Sequence, residues 1–425
     1  MPELLIVADD ITGALDTGVQ LVKRNIPVRI LLDPGCADWD SPDYPVLALA
    51  PETRRLSPAG AYRAAASIFQ QARGLGIPYI YKKTDSALRG NIGAELQAMA
   101  DAFGNEPICF APAFPAAGRV TRDGIHSING VPVADSPFGQ DPFTPVTMSF
   151  IPAWLKEKGL TNPSRVMTEG VAADALPWGA MEGVILVYDA ESDARLCQIA
   201  SSAQKNSIRL LAGCAGFAQA LPLLIGHKGK PPLPHALLCN SHSISGDALT
   251  VFSGSLNRIT AEQIGYAVRH GFKQMNLSGR ILSGGGREGL PGLHCADATA
   301  GPDAFLMDDT IVNTAPADAT SIGDTYTLED SREVSERLCM VAERLLRRRP
   351  GLFWMVVGGD TLMALMRRLA IQSIIPLCEI EAGVVLARAT PGDYLFAAKS
   401  GGLGSVDVFL KVKRAVASLL PGNSL

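Results

Sequence analysis

Short apolar segments alternate with segments of helical periodicity through the first third of the chain, and this alternation restricts the fold more than any other feature. Residues 4–8 predict a buried strand, and residues 11–24 repeat apolar side chains at helical spacing. Ser57 and Pro58 predict a helix start, because serine caps helices and proline suits the first helical position. Further strands are predicted at 28–32, 46–50, 79–83, 108–111 and 183–188. Repeated strand and helix units predict an α/β protein with largely parallel sheets.

The length of the chain, 425 residues, predicts two domains, because single hydrophobic cores rarely grow beyond about 250 to 300 residues. A polar, proline-rich passage at 226–234 marks the boundary, so the predicted domains are 1–235 and 236–425. In the second domain, strands are predicted at 249–252, 352–357, 380–388 and 395–398, and helices at 259–269, 329–349 and 406–420. Residues 113–152 lack periodicity and are rich in Pro, Gly, Asp and Ser, which predicts functional loops.

Charge and composition narrow the classes of function. The formal net charge is -4 and no long basic run occurs, which disfavours nucleic acid as a partner. The N-terminus leads directly into an apolar strand without a basic signal-peptide region, and no stretch approaches about 18 uninterrupted apolar residues. Both features disfavour secretion and membrane insertion. Eight cysteines lie far apart without a C-x-x-C pair, as expected for reduced thiols, so we expect a cytoplasmic protein.

Acidic residues follow the first predicted strand. Asp9 and Asp10 stand at its carboxyl end, Thr12 follows, and Asp16 lies within the predicted helix. Ligands of open α/β sheets bind at the carboxyl ends of strands, so these side chains predict a polar binding site. Helix capping by Asp9 or Asp10 is the alternative explanation, since aspartate is a preferred N-cap. Two adjacent acids together with Asp16 favour the binding site.

A second polar cluster follows the predicted strand at 79–83 and precedes a predicted helix. It contains Lys82, Lys83, Thr84, Asp85, Ser86 and Arg89, and Arg54 follows the strand at 46–50. Cations of this kind can bind a carboxylate, while the neutral groups can bind hydroxyls. The cluster therefore predicts a site for a small polyhydroxy acid, with a capped, solvated turn as the alternative.

Three glycine-rich turns follow predicted strands in the second half of the chain. They are Ser253-Gly254-Ser255, Gly358-Gly359-Asp360-Thr361, and the segment 399–404. Glycine lets the backbone approach an oxygen-rich ligand, and N–H groups at helix starts bind phosphate. Any one of them is more often only a turn, but three in one half predict a site for nucleotide phosphates. Asp360 is placed to act through Mg²⁺ or its waters.

Five motifs, taken in order, resemble those of the four-carbon acid sugar kinase family. They are the segments 8–14 (ADDITGA), 83–91 (KTDSALRGN), 112–115 (PAFP), 358–361 (GGDT) and 399–402 (KSGG). The resemblance extends from residue 4 to about residue 410. It implies a kinase that uses ATP and Mg²⁺ to phosphorylate the terminal hydroxyl of threonate, erythronate or a 3-oxo-tetronate.

The resemblance also implies roles for single residues. The sugar acid would be bound in the domain 1–235 by Asp10, Arg54, Lys83, Thr84, Asp85 and Ser86, and the two polar clusters add Asp9 and Arg89 as further candidates for binding it. ATP would be bound in the domain 236–425 by Ser255, Gly358, Gly359, Asp360, Thr361 and Gly402, with Mg²⁺ at Asp360. The active site is expected in the cleft between the two domains. The acceptor of the hydroxyl proton is expected among Asp9, Asp10, Asp16 and Asp85, with Asp10 and Asp85 as the catalytic candidates.

Two other functions stay open at this point. One is a non-catalytic regulatory protein that binds a sugar acid or a nucleotide, and the intact cation cluster disfavours it. The other is a Mg²⁺-dependent lyase or hydrolase that uses Asp9, Asp10 and Asp85, which leaves the glycine turns without a role. The expected partners are the sugar acid and ATP, and a homodimer is common among cytosolic metabolic enzymes.

Overall fold

The computed structural model describes residues 1–33, 35, 39, 42–104, 106–141, 143–168, 183–226, 248–255, 257–277, 308–314, 328–349 and 351–419. The chain divides into two compact units, Met1–Pro231 and Pro232–Leu425. None of the helices in the described part of the chain combines the length and the apolar character that crossing a membrane would require.

The N-terminal unit is built from short strands and amphipathic helices. Its strands are β1 (Leu4–Ala8), β2 (Val28–Leu31), β3 (Val46–Leu49), β4 (Tyr79–Lys83), β5 (Ile108–Ala111), β6 (Arg119–Arg122), β7 (Ile125–Ile128), β8 (Val131–Pro132), β9 (Ser164–Met167), β10 (Ile185–Tyr188) and β11 (Leu210–Gly213). Its helices are α1 (Ile11–Val22), α2 (Pro58–Gly74), α3 (Ile92–Phe103), α4 (Ile151–Glu157), α5 (Asp193–Lys205) and α6 (Ala215–Ala218). The start of α2 follows the sequence prediction, because Ser57 Oγ accepts a hydrogen bond from Gly60 N and Pro58 occupies the first turn.

The main sheet of this unit is parallel in its described strands. Its order is β2-β3-β1-β4-β11-β5-β10-β9. The strands β1, β3 and β5 are buried along their whole length, as expected for a parallel sheet with both faces covered. The register places Ala8 beside Lys83, Lys83 beside Gly213, and Gly213 beside Ala111. The carboxyl ends of β1, β4, β11 and β5 therefore lie side by side.

A second, antiparallel sheet of β6, β7 and β8 occupies part of the segment 113–152, which the sequence predicted as loops. That prediction is wrong for these residues. Asp123 and Gly124 join β6 to β7, and Asn129 and Gly130 join β7 to β8, all four with positive φ. Two consecutive positive φ angles match the twist of a tight hairpin, and Asp-Gly and Asn-Gly are its preferred sequences.

The C-terminal unit has a mixed sheet. Its strands are β12 (Leu249–Ser253), β13 (Lys273–Asn276), β14 (Thr310–Asn313), β15 (Phe353–Val357), β16 (Ser373–Glu381), β17 (Val384–Thr390) and β18 (Tyr394–Lys399), and its helices are α7 (Arg258–Arg269), α8 (Leu328–Arg348), α9 (Gly359–Arg368) and α10 (Val408–Leu419). The described strands are parallel in the order β13-β14-β12-β15-β18, β17 then pairs antiparallel with β18, and β16 pairs antiparallel with β17.

One strand prediction in this unit is wrong. The segment 380–388 is not one strand, because it contains the end of β16, a turn and most of β17. Gly383, with φ of 78°, lies at this turn. Beyond the turn, the described core of the unit forms around β12, β15, β17 and β18 with α7 and α10, where Met355 and Phe409 are fully buried.

Candidate functional site

Asp10 is the N-cap of α1, directly after β1. Its Oδ1 accepts a hydrogen bond from Gly13 N at 2.7 Å, and its Oδ2 accepts one from Thr12 Oγ1 at 2.9 Å. The capping role considered from the sequence is therefore present. Capping is not the only interaction of this carboxylate, because Oδ2 also contacts Arg54 Nη1 at 2.7 Å.

Arg54 joins three carboxylates that come from different parts of the chain. Its Nε lies 2.7 Å from Asp9 Oδ2, its Nη1 contacts Asp10, and its Nη2 lies 3.6 Å from Asp85 Oδ1. Burial by itself opposes the charged guanidinium, but the charges of Asp10, Asp9 and Asp85 raise the pKa of Arg54 well above its usual range. Arg54 therefore acts as a permanently charged clamp on the loops that follow β1, β3 and β4.

Asp85 is held by a second arginine. Arg89 Nη2 lies 2.9 Å from Asp85 Oδ1, Arg89 Nε lies 3.1 Å from Oδ2, and Ala87 N donates to Oδ2 at 2.9 Å. Although burial opposes ionisation, Arg89 and Arg54 hold the pKa of Asp85 well below its usual range. Arg89 Nη1 also lies 3.2 Å from Asp141 Oδ2. Asp85 is thus an ionised carboxylate near neutral pH.

Lys82 and Lys83 have different surroundings although they are adjacent in β4. Successive side chains of a strand point to opposite faces of a sheet. Lys82 Nζ lies 3.0 Å from Glu95 Oε1 of α3, in a fully buried ion pair, and Thr53 Oγ1 donates to the same oxygen. Burial raises the pKa of Glu95, against the opposing charge of Lys82. Lys82 therefore supports the site from behind and does not face a ligand.

Lys83 lies over the first turn of α1. A Cβ atom on Gly13 would meet both Lys83 Nζ and Asp10 Oδ1 at 2.8 Å, so a side chain at this position would displace the ammonium group or the carboxylate. Lys83 is buried, and its ammonium group forms no ion pair or hydrogen bond with other described residues. The next side chain, Thr84, carries a buried hydroxyl that also has no partner among them. These two groups are available to a ligand.

Ser86 is fixed by residues of the small antiparallel sheet. His126 Nε2 lies 2.9 Å from the carbonyl oxygen of Ser86, and Thr121 Oγ1 lies 3.1 Å from His126 Nδ1. Because a carbonyl can only accept, the Nε2 atom carries the proton. Burial lowers the pKa of His126 to about 4, which keeps the ring neutral at neutral pH. Arg119 Nη1 donates to Ser86 Oγ.

The structure thus brings most of the N-terminal residues singled out from the sequence to one edge of the sheet. Asp9, Asp10, Arg54, Asp85 and Arg89 are joined by ion pairs, and Lys83, Thr84 and Ser86 lie in or directly after β4. Asp16 lies further along α1. Sequence reasoning missed Glu95, Asp141 and Arg119. A glutamate within the apolar face of α3 was a usable signal for Glu95, but no local pattern marks the other two.

The three glycine turns of the C-terminal unit follow β12, β15 and β18, which are neighbours in the sheet. Gly254 N donates to Val357 O at 3.3 Å, and Gly358 N donates to Lys399 O at 3.0 Å. A Cβ atom on Gly401 would meet Ser255 Oγ at 2.6 Å. The three turns therefore lie against one another, and a side chain at Gly401 would displace the Ser255 hydroxyl.

Asp360 and Thr361 lie in the first turn of α9. Gly358, with φ of 107°, precedes the helix and supplies no side-chain cap, so the first N–H groups of α9 are oriented as in helix termini that bind anions. Asp360 is exposed and Thr361 is buried. Lys399 is buried and donates to the carbonyl oxygens of the turn 400–403, so it stabilises that turn. Gly402 lies within the same turn.

Comparisons with known proteins match both units. A model of a sugar-binding N-terminal domain matches residues 4–221, and a model of a nucleotide-binding C-terminal domain matches residues 250–409. The chain is 32% identical to a D-threonate kinase of Salmonella typhimurium, over 63% of this chain and 62% of that protein. It is 30% identical to a D-threonate kinase of Cupriavidus necator, over 94% of this chain and 95% of that protein. It is 26% identical to a 3-oxo-tetronate kinase of Burkholderia multivorans, over 98% of this chain and 97% of that protein.

A solved structure shares the fold. The crystal structure of Haemophilus influenzae protein HI1011 superposes with a TM-score of 0.64 at 18% identity, covering 96% of this chain and 99% of that chain.

These matches and the fold define the class of the protein. It is a sugar-acid kinase, a phosphotransferase built from two α/β units. More narrowly, the chain belongs to the four-carbon acid sugar kinase family. The predicted family, the predicted α/β fold class and the predicted class of enzyme are confirmed.

Proposed function

We propose that this enzyme transfers the γ-phosphoryl group of ATP to the terminal hydroxyl of a four-carbon acid sugar. One observation carries the proposal. Lys83 is a buried ammonium group without an ion-pair partner among the described residues, and it lies at the same strand ends as three clamped carboxylates. Such a site offers a cation to a ligand carboxylate and several acceptors to ligand hydroxyls. Relatives named D-threonate, D-erythronate and 3-oxo-tetronate kinase support threonate, erythronate or a 3-oxo-tetronate as the substrate.

Each residue of the N-terminal site has a role in this proposal. Lys83 binds the acid group, and Thr84 and Ser86 bind hydroxyls of the substrate. Asp9 contributes its Oδ1 atom, which is buried without a hydrogen-bond donor among the described residues. The two arginines, Arg54 and Arg89, hold the carboxylates of Asp9, Asp10 and Asp85 in position.

The reaction needs an acceptor for one proton. The terminal hydroxyl oxygen attacks the γ-phosphorus, the bond from that phosphorus to the β,γ-bridging oxygen breaks, and ADP leaves. The hydroxyl proton passes to a carboxylate, for which Asp10 and Asp85 are the proposed acceptors. Asp85 is ionised near neutral pH, so it is able to accept the proton, while its low pKa makes it a weak base.

The glycine turns of the C-terminal unit fit the phosphates of ATP. A Cβ atom at Gly254 or Gly401 would meet the hydroxyl of Thr361 or Ser255, and the first turn of α9, which has no side-chain cap, offers backbone N–H groups to a phosphate. The proposed ligands of ATP are Ser255, Gly358, Gly359, Asp360, Thr361 and Gly402. Mg²⁺ bound with ATP neutralises phosphate charge, and Asp360 would hold it, since Mg²⁺ commonly takes one or two carboxylates together with substrate phosphates.

Coupled measurement of ADP release tests the proposal. The purified protein is supplied with ATP and Mg²⁺ and with D- and L-threonate, D- and L-erythronate, their 3-oxo forms and longer sugar acids. Turnover on a four-carbon acid that depends strictly on ATP is the expected result and identifies the substrate. ATP binding without ADP release across the whole panel would overturn the proposal.

A further inference from the structure

The cations around the N-terminal site fall into two groups. Three of them are neutralised by carboxylates within the protein: Lys82 by Glu95, Arg54 by Asp9 and Asp10, and Arg89 by Asp85 and Asp141. Two others, Lys83 and Arg119, have no carboxylate oxygen of any described residue within 4.0 Å. Lys83 was expected to be a ligand from the sequence, whereas Arg119 was not.

Arg119 is the first residue of β6, and 8% of its surface is exposed. Its Nη1 donates to Ser86 Oγ, and its guanidinium lies 5.8 Å from the ring centroid of Phe138. Its Nε atom is buried and has no hydrogen-bond partner among the described residues. A buried guanidinium with an unused donor is costly unless an anion or another acceptor reaches it.

The surroundings of Arg119 increase this need for an anion. Arg89 stacks on the same aromatic ring, at 5.2 Å from the centroid of Phe138, and its charge acts against that of Arg119. Burial lowers the pKa of Arg119, and the distant carboxylates of Asp85 and Asp16 oppose this only in part. An arginine nevertheless stays protonated near neutral pH.

Arg119 and Lys83 lie near the same point. Burial raises the pKa of the Cys214 thiol, and the positive charges of Lys83 and Arg119 both act in the opposite direction. The contacts around Cys214 agree, because Lys83 is the register partner of the preceding Gly213, and Phe114, which packs with Cys214, donates its N–H to Arg119 O. Ser86, which Arg119 contacts, follows Lys83 by three residues. An anion between the two cations would be neutralised by both.

We propose that Arg119 binds the carboxylate of the acid sugar, with Lys83 as the second cation, and that this contact selects acids over neutral sugar alcohols. The inference rests on the proposed function for the identity of the ligand. A guanidinium presents parallel N–H donors that match the two oxygens of a carboxylate, which a single ammonium group does not. Arg119 is thereby the residue that distinguishes a sugar acid from its reduced form.

The test compares Arg119→Gln with the unaltered enzyme on D-threonate and D-erythronate and on the neutral analogues threitol and erythritol. We expect KM for the acid to rise by about 10- to 100-fold, as for the loss of a hydrogen bond to a charged group. The preference for acid over alcohol falls by the same factor, and KM for ATP stays within about twofold. Arg122→Gln, an exposed arginine on the same strand, should change none of these values.

A purely structural role for Arg119 would lower activity without changing the preference for acid over alcohol, and an unchanged preference in the folded variant overturns the inference. If Arg119→Gln does not fold, the same comparison is made with Arg119→Lys. This variant keeps the positive charge but lacks the two parallel N–H donors of the guanidinium group. An undiminished acid preference in Arg119→Lys then overturns the inference.

Failure of the proposed function is separable from failure of this inference. If the unaltered enzyme phosphorylates no acid, calorimetric binding of D-threonate still tests the contact. Binding that Arg119→Gln abolishes and Arg122→Gln preserves supports the inference. Equal binding by all three proteins, or none by the unaltered protein, overturns it.

Discussion

Removing the charge of Glu95 tests whether its buried pair with Lys82 holds the strand ends in place. The two side chains are 1% and 0% exposed, and Lys82 Nζ lies 3.0 Å from Glu95 Oε1. Removal of one partner leaves an uncompensated buried charge, which costs about 3 to 5 kcal/mol. Lys82 Nζ keeps hydrogen bonds to the carbonyl oxygens of Val7 and Lys83. We therefore expect Glu95→Gln to cost about 3 kcal/mol, the lower limit of this range.

Hydrogen exchange of the backbone amides in β4 and α3 measures the free energy of local unfolding around the pair. A loss of about 3 kcal/mol accelerates their exchange by about 150-fold where exchange follows the opening equilibrium. The matched control is Glu191→Gln, which removes the partner of Arg122 in an exposed pair and should cost less than about 1 kcal/mol.

A double variant, Lys82→Met with Glu95→Leu, should recover most of the lost stability, because an apolar pair of similar volume leaves no buried charge. Equal acceleration by Glu95→Gln and Glu191→Gln would refute the reasoning. So would a double variant that is no more stable than Glu95→Gln alone.

Three further predictions concern other parts of the protein. Because burial lowers the pKa of His126 from 6.5 to about 4, stability should be complete above pH 6.5 and decline as pH falls toward 4, by about 2 to 3 kcal/mol at pH 4.5. Urea unfolding at pH 7 and at pH 4.5 measures this difference in the free energy of unfolding. The difference should be smaller in His126→Gln, which has no imidazole to protonate. Gly254→Ala should raise KM for ATP, because its Cβ would overlap a buried threonine hydroxyl, whereas Gly226→Ala, with open space around it, should not. The kcat values of Asp10→Asn and Asp85→Asn show which aspartate accepts the proton. The variant that lacks the acceptor should have a kcat lower by about 100-fold or more. Near-normal kcat in both variants would show that neither is the acceptor.

The first βα unit shows what local sequence can predict. A run of apolar residues at 4–8 and a capping aspartate at its end are sufficient to predict both β1 and the start of α1. The same reasoning also predicts that polar side chains meet at the carboxyl ends of the parallel strands. Partners are harder to predict, because the contact of Arg54 with Asp85 depends on the order of strands in the sheet.

The small antiparallel sheet was missed for a different reason. Its strands have four, four and two residues, too few for alternation to be recognised. Its turns nevertheless carried a signal, since Asp123-Gly124 and Asn129-Gly130 are preferred hairpin sequences. The position of Arg119 beside Ser86 depends on this sheet, so it was missed together with the sheet.

The pair Lys82 and Lys83 shows how strand geometry separates residues that composition groups together. The predicted strand at 79–83 already implied that the two side chains point to opposite faces. It did not show which lysine meets a carboxylate, because Glu95 lies in the following helix. The structure gives Lys82 this partner and leaves Lys83 without one among the described residues.

Substitution of each lysine by methionine should therefore have opposite effects on the stability of the protein. Lys82→Met leaves Glu95 without its cation, and because burial raises the pKa of Glu95, proton uptake should limit the loss of stability to about 3 kcal/mol. Lys83→Met replaces an unpaired buried ammonium by an apolar chain, so we expect a gain of about 1 kcal/mol. Its KM for the sugar acid should rise by about 10- to 100-fold. Urea unfolding and steady-state kinetics on both variants measure these effects. A loss of stability in Lys83→Met equal to that in Lys82→Met would mean that Lys83 has a structural role, and the assignment of Lys83 to the ligand would then be wrong.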